Sequence, residues 1–324
     1  NIMKTQKEIF DIIKSNKKNI KDITINGYSN KVFNFLKKYP KLDLDNEDKI
    51  LKTVKKINLK STTKKSLIVS LMVYLKSLKP ELKLEKINKY VKELNNLYLE
   101  NSNKKNEKEL KNFDKLENIL KLADNKFKKL DSVLKNDKSE NKEESLDFMK
   151  KLLLIFLFSH IPPRRNNDYR IMLFLTLEEY EKLENFKNNY LIYNLEKNDF
   201  EFSFFHYKTS SLYGNQIFKI NKKENSKLIK LLSTYLKYKL KYSNNNILFT
   251  NNQNNIYSNS KFTEFFNIAF KDTNKKMNST ILRKIYISDN KSIKMLKKYY
   301  TEASKTALKM AHSVKTQQTI YLKE

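Results

Sequence analysis

At the end of the chain His312 precedes Tyr321 by nine residues, across a connector rich in threonine and glutamine. A tyrosine hydroxyl can attack a phosphodiester, provided that other groups hold the phosphate, stabilise the pentavalent transition state and protonate the departing sugar oxygen. With 19 tyrosines and 3 histidines among 324 residues, the spacing of this pair decides little by itself. Its meaning depends on whether suitable partners stand upstream.

The arginines are the first candidates. Only four of the 66 basic residues are arginine: Arg164, Arg165, Arg170 and Arg283. In a chain that otherwise uses lysine, arginine is expected where a planar, permanently charged, bidentate donor is needed, as in phosphate recognition. Arg164 and Arg165 follow directly on the most apolar run, Leu152 to Phe158. They stand in Pro162-Pro163-Arg164-Arg165-Asn166-Asn167-Asp168-Tyr169, which breaks the chain and presents both at a turn. Arg283 closes the tetrapeptide Thr280-Ile281-Leu282-Arg283 in an amphipathic pattern. Lys208, followed by Thr209, lies between them in the chain, where a β-rich run gives way to a turn.

These residues need elements to position them, and periodicity supplies the outline. From Lys7 to about Glu100 apolar residues recur three and four apart, as in Ile9, Phe10, Ile12, Ile13 and again in Val32, Phe33, Phe35, Leu36. Pro40 ends the second helix, Asp45 to Asp48 open a third, and Ser61-Thr62-Thr63 cap the longest, which Pro80 stops. Residues 1–100 therefore read as a helical bundle. Residues 101–111 are charged and poor in apolar side chains, a predicted linker. Residues 112–324 form a second, larger domain with helices over Phe113 to Leu134 and Leu146 to Ser159.

Within that domain Tyr190 to Leu195, Phe200 to Tyr207 and Gln216 to Ile220 are β-rich, with Gly214 in the last turn, so a small antiparallel sheet is predicted. Helices return at Leu228 to Tyr242, Phe262 to Phe270, Ser279 to Ile287 and Ile293 to Met310, with a last short one bearing Tyr321. The fold class is mostly α with one small sheet (α+β).

Composition narrows the partners. Net charge is +30, which draws the chain to polyanions and makes such binding salt-dependent; a low-GC codon bias toward lysine and asparagine accounts for about half of the excess. Cysteine is absent, which excludes disulfide scaffolds and thiolate metal sites and suits a reducing, intracellular compartment. The most apolar run is too short to cross a bilayer, no signal peptide is evident, and the Asn1 start suggests a processed or truncated chain.

Read in order, Arg165, Lys208, Arg283, His312 and Tyr321 resemble the catalytic signature of the tyrosine recombinases, the phage-integrase type of DNA strand-exchange enzyme. The resemblance implies that residues 1–100 are a core-binding domain on double-stranded DNA and residues 112–324 the catalytic domain. It implies Tyr321 as nucleophile, Lys208 as general acid toward the leaving 5′ oxygen, His312 as a donor to a nonbridging oxygen, and no cofactor or metal. Arg165 is preferred to Arg164 because Asp168 follows it by three residues, as an acid that buttresses the family's first arginine does. Thr280 stands where the family usually has histidine or lysine; a hydroxyl can donate to phosphate but cannot shuttle a proton near neutral pH.

The resemblance further implies a homo-tetramer on DNA during synapsis. With the low-GC composition it suggests a viral or mobile element acting in a host nucleus or cytoplasm. A type IB topoisomerase uses a similar residue set, and a non-catalytic basic DNA-binding protein would share the charge without the chemistry.

Overall fold

The computed structural model describes residues 4–17, 19–102, 105–135 and 142–309. The chain divides into two units, Asn1–Asn106 and Glu107–Glu324.

Among the described residues the first unit is all helical: α1 (Gln6–Asn16), α2 (Asp22–Lys38), α3 (Glu47–Lys56), α4 (Ser61–Leu78) and α5 (Glu85–Ser102). Its core is the apolar stripe of each helix, with Ile9, Ile13, Ile25, Val32, Ile50, Val54, Ile68 and Leu71 fully enclosed. Side chains fix the starts of α1 and α3. Thr5 and Glu8 form a reciprocal capping box on α1, and Asn46 accepts from the Lys49 N–H on α3. The caps expected from Ser61 to Thr63 do not form: Lys60 is the N-cap of α4, without a side-chain bond, and Ser61 is already helical. That helix is held by packing, since it contacts α1, α2, α3 and α5.

The second unit opens with α6 (Glu107–Asn112), α7 (Leu116–Phe127) and α8 (Leu130–Lys135). Glu109, in the segment expected as a linker, pairs with Lys284 of this unit, and Asn112 just after it accepts from the Lys276 N–H at 2.8 Å. Next comes α9 (Lys142–Leu157), whose residues from Leu152 on are buried all round, as a central core helix must be. After the arginine turn run α10 (Asn166–Arg170), β1 (Met172–Thr176), α11 (Leu177–Glu181), β2 (Asn189–Asn194), β3 (Asp199–Phe204), α12 (Ser210–Tyr213) and β4 (Gln216–Lys219). Then follow α13 (Ser226–Tyr242), α14 (Asn259–Ala269), α15 (Ser279–Asp289) and α16 (Lys291–Lys309).

The sheet has the order β1-β2-β3-β4 and is mixed. Its three later strands are antiparallel, with Tyr190 opposite Ser203 and Phe202 opposite Phe218, but β1 adds a parallel edge, with Leu173 opposite Tyr190. The small sheet is antiparallel over β2 to β4 as expected, and the parallel edge strand β1 is an addition to that expectation. Met172 to Thr176 is a short apolar run without alternation, which periodicity cannot assign. It becomes a strand because α11, started by a Thr176–Glu179 capping box, returns the chain to pair alongside it. Both faces of β2 are covered. Leu191 and Tyr193 join the main core, while Tyr190 and Ile192 pack with Leu175, Tyr180, Leu183 and Phe205 in a smaller cluster. Among the described residues no helix is long and apolar enough to cross a membrane.

Candidate active site

Pro162 and Pro163 lie past the end of α9, so the chain cannot continue as helix and leaves the core in an extended turn. Arg165 is the extended N-cap residue of α10 (φ −79°, ψ 154°), and Asp168 and Tyr169 on that short helix are buried. Arg283 projects from α15, whose first turn is fixed by Asn278 accepting from the Ile281 N–H at 3.0 Å. Ile281, Leu282 and Ile285 bury the inner face of α15, which leaves Arg283 half-buried beside them.

These elements bring Arg164, Arg165 and Arg283 to one cleft of about 410 Å³. Asp168, Thr209 and Gln216 also line it, together with Pro162, Pro163, Tyr207, Tyr213 and Phe218. The fourth arginine is elsewhere: Arg170 donates to the Tyr257 carbonyl at 2.6 Å and to Asn167 Oδ1 at 2.8 Å, so it fastens backbone.

The two adjacent arginines have separate surroundings. Arg164 donates through Nε to Asp168 Oδ2 at 3.0 Å and through Nη1 to Gln216 Oε1 at 2.8 Å. Its guanidinium lies 3.8 Å from the centre of the Phe204 ring. A guanidinium stacked and doubly bonded in this way is a bracket between α10 and β4. Arg165 has no side-chain hydrogen bond or ion pair among the described residues, and neither does Arg283. The acid expected to buttress Arg165 is therefore paired with Arg164, because a turn of short helix sets Asp168 opposite the residue four back.

Electrostatics bind the group together. Burial pushes the Asp168 carboxyl above its usual value, while Arg164 and then Arg165 pull it back. Burial, and after it the charge of Arg165, hold the Arg283 guanidinium below its ordinary value, with Asp168 opposing. Asp168 Oδ1 is buried without a hydrogen-bond partner among the described residues. Two arginines without side-chain partners, brought together in this way, leave positive charge that an anionic group would satisfy.

The other candidates are placed less closely. Lys208 is exposed in the connection from β3 to β4, between the cleft-lining Tyr207 and Thr209, and lies past the end of the strand. Thr280 is exposed in the first turn of α15, three residues before Arg283, and does not line the cleft. His312 and Tyr321 lie outside the described residues.

One positioning residue escaped the sequence reading. Asn189, at the start of β2, is fully buried. Its Nδ2 donates to the carbonyls of Asp168 (2.9 Å) and His206 (3.0 Å), and its Oδ1 accepts from the N–H groups of Phe205 (3.0 Å) and His206 (2.8 Å). One amide thus joins the helix carrying Asp168 to the segment that leads into Lys208. Nothing in the sequence marks it among so many asparagines. Asn189→Ala leaves four backbone groups short of a partner and is expected to cost about 3 kcal/mol or more in denaturant unfolding, each orphaned buried group costing about 1–3 kcal/mol. Asn189→Asp should not rescue it, since a carboxylate would face two carbonyl oxygens.

No protein-family model and no curated protein matches the sequence. Among solved structures, the chain is similar to the crystal structure of XerA recombinase at 13% identity and a TM-score of 0.32, over 88% of this chain and 84% of that one.

Proposed function

We infer that this chain is a DNA strand transferase of the tyrosine-recombinase type, a site-specific recombinase or integrase of a viral or mobile element. The observation that carries the reading is the convergence of Arg165 and Arg283, far apart in sequence and both without side-chain partners among the described residues, on one cleft bordered by the hairpin that bears Lys208.

In this reading the two guanidinium groups grip the nonbridging oxygens of one phosphodiester. They hold it more tightly as the trigonal bipyramid forms, because the charge on those oxygens then grows. The Tyr321 oxygen bonds to phosphorus and gives up its proton to solvent water, the bond from phosphorus to the 5′ oxygen breaks, and Lys208 protonates that oxygen and is reprotonated from solvent. His312 donates to a nonbridging oxygen, and Thr280 can supply a further hydroxyl donor. The product is a 3′-phosphotyrosyl bond and a free 5′ hydroxyl. Attack by a 5′ hydroxyl on that bond reseals the strand, so no nucleotide or metal is consumed. The bundle of residues 1–100 would bind the duplex, with four copies assembled at synapsis in a host nucleus or cytoplasm.

The test is covalent trapping on a library of nicked suicide duplexes. Wild type is expected to give an adduct stable in SDS, with the modified peptide containing Tyr321, and Tyr321→Phe to give none. Absence of an adduct with wild type would overturn the reading. An adduct that persists in Tyr321→Phe would move the nucleophile to Tyr286, Tyr299 or Tyr300. Relaxation of supercoils by a single copy, without joining of two sites, would assign a topoisomerase instead.

A further inference from the structure

A phosphodiester needs only hydrogen-bond donors and positive charge, yet much of this cleft is neither. Pro162, Tyr207, Tyr213 and Phe218 give it flat apolar surfaces beside the arginines, and its 410 Å³ falls in the range of small-ligand sites, about 300–1,000 Å³. Tyr213 is 64% exposed, a large ring left open at a charged site. Its backbone is nonetheless anchored. Gly214, in the left-handed region at φ 67°, donates its N–H to the Ser210 carbonyl at 2.8 Å, and its own carbonyl accepts from the Tyr207 hydroxyl at 2.6 Å. Paired with ψ −161°, that φ is open to little but glycine, so the turn that presents Tyr213 is built in. Gln216 adds a polar group: Arg164 engages its Oε1, which leaves Nε2 as a donor without a partner among the described residues.

We propose that the cleft takes a whole nucleotide of the DNA, with the nucleobase beside the gripped phosphate unstacked from its neighbours and laid against the Tyr213 ring. Arg165 and Arg283 hold the phosphate, and Gln216 Nε2 is available to an acceptor on the base edge. An aromatic face is indifferent to base identity, so Tyr213 contributes affinity and local opening of the duplex, with little sequence preference. The proposal rests on the strand-transfer reading for the identity of the phosphate.

The experiment measures duplex affinity by fluorescence anisotropy at one fixed salt concentration, so that it does not depend on cleavage. Wild type, Tyr213→Ala and Tyr213→Phe are compared on an intact duplex and on a series with single abasic sites scanned through it. Tyr213→Ala is expected to bind the intact duplex roughly 5- to 150-fold more weakly, the range for one base stacked on one ring. At one abasic position the same substitution should change affinity less than twofold, because the ring has lost its partner. Tyr213→Phe should keep wild-type affinity on both. Equal affinity of wild type and Tyr213→Ala on the intact duplex, or the same loss at every abasic position, overturns the proposal. A wild type that traps covalently on DNA but shows no such coupling loses only the stacking inference. One that shows the coupling but never traps loses the strand-transfer reading, and one that binds no duplex loses both. Matched melting temperatures for the three proteins exclude a folding defect, as expected for an exposed ring.

Discussion

Replacement of Arg283 by alanine is expected to slow strand cleavage by roughly three orders of magnitude or more while leaving DNA affinity within a few-fold of wild type. Under the proposed strand transfer, Arg283 meets charge that grows on the phosphate as the transition state forms. Removing one such donor costs about 10²- to 10³-fold in hydrolytic enzymes, and an arginine on a transferring phosphoryl group about 10³- to 10⁵-fold. Affinity is carried differently. The chain holds 66 basic residues, and the loss of one phosphate contact among many weakens binding only modestly. The fold should tolerate the change, because the Arg283 side chain makes no hydrogen bond or ion pair among the described residues while its neighbours Ile281, Leu282 and Ile285 do the packing. The measurements are single-turnover cleavage at saturating DNA, a binding isotherm and a thermal melt. Binding lost in step with cleavage, or a melt lowered by several degrees, would make Arg283 a structural residue. Arg283→Lys should recover part of the rate, since it restores a point charge but not the bidentate fork.

Replacement of Lys239 by methionine is expected to stabilise the protein at neutral pH and to flatten its dependence on pH. Lys239 lies on the apolar stripe of α13, in line with Leu228, Leu232 and Tyr235, and is completely buried. Its ammonium donates to Thr250 Oγ1 at 3.3 Å, while buried Lys150 donates to the Thr250 carbonyl at 3.1 Å. Burial, and then the charge of Lys150, push Lys239 down from 10.5 to about 7. Between those two values the unfolded chain carries one proton more than the folded one. Stability therefore rises as pH is raised from about 7 toward 10 and is lost as pH falls back through that window.

Methionine removes this term, and even buried ion pairs, whose charges are compensated, can be exchanged for apolar groups of similar volume with an effect between none and about 1–4 kcal/mol of stabilisation. The slope should become shallower without vanishing, because burial shifts Lys150 in the same direction. Above pH 10 the sign reverses in both proteins. Burial holds the hydroxyls of Tyr169 and Tyr235 above their ordinary value of 10, so the unfolded chain loses those protons first. Chemical denaturation of wild type and Lys239→Met at several pH values between 6 and 10 tests this. A variant less stable at every pH, with an unchanged slope, would show that Lys239 stabilises through its bond to Thr250.

The legibility of each feature followed from how local its cause is. Helices such as α1, α2, α9 and α13 could be read because an amphipathic or wholly apolar repeat at helical spacing is written in consecutive residues. Pro40, Pro80 and Pro162 marked breaks for the same reason. The hairpin of β3 and β4 was visible through aromatic and β-branched runs around Gly214, but β1 was not, since its five residues show no period and gain their strand identity only from pairing with β2. Ser61 had the chemistry of a cap, yet α4 begins at that residue because packing against four neighbouring helices outweighs one side-chain bond.

At the site, residue type alone raised Arg164, Arg165, Arg170 and Arg283 as candidates, because arginine is scarce in this lysine-rich chain, and three of the four line the cleft while Arg170 fastens backbone. The order of the candidate residues could likewise be read directly. Which of Arg164 and Arg165 would be sequestered could not, because the answer depends on Gln216 and Phe204, brought in from β4 and β3 to hold Arg164 and leave its neighbour without a side-chain partner among the described residues. Asn189 and Lys239 carry the same lesson in opposite senses. An asparagine and a lysine, both abundant and ordinarily solvated, became a buried four-bond junction and a buried ammonium. The sequence by itself determined the helical periodicity, the basic charge and the inventory of groups that could bind phosphate. Tertiary structure alone decided which of those groups were desolvated and paired and which were left without partners, since burial and partnership are set by residues distant in the chain.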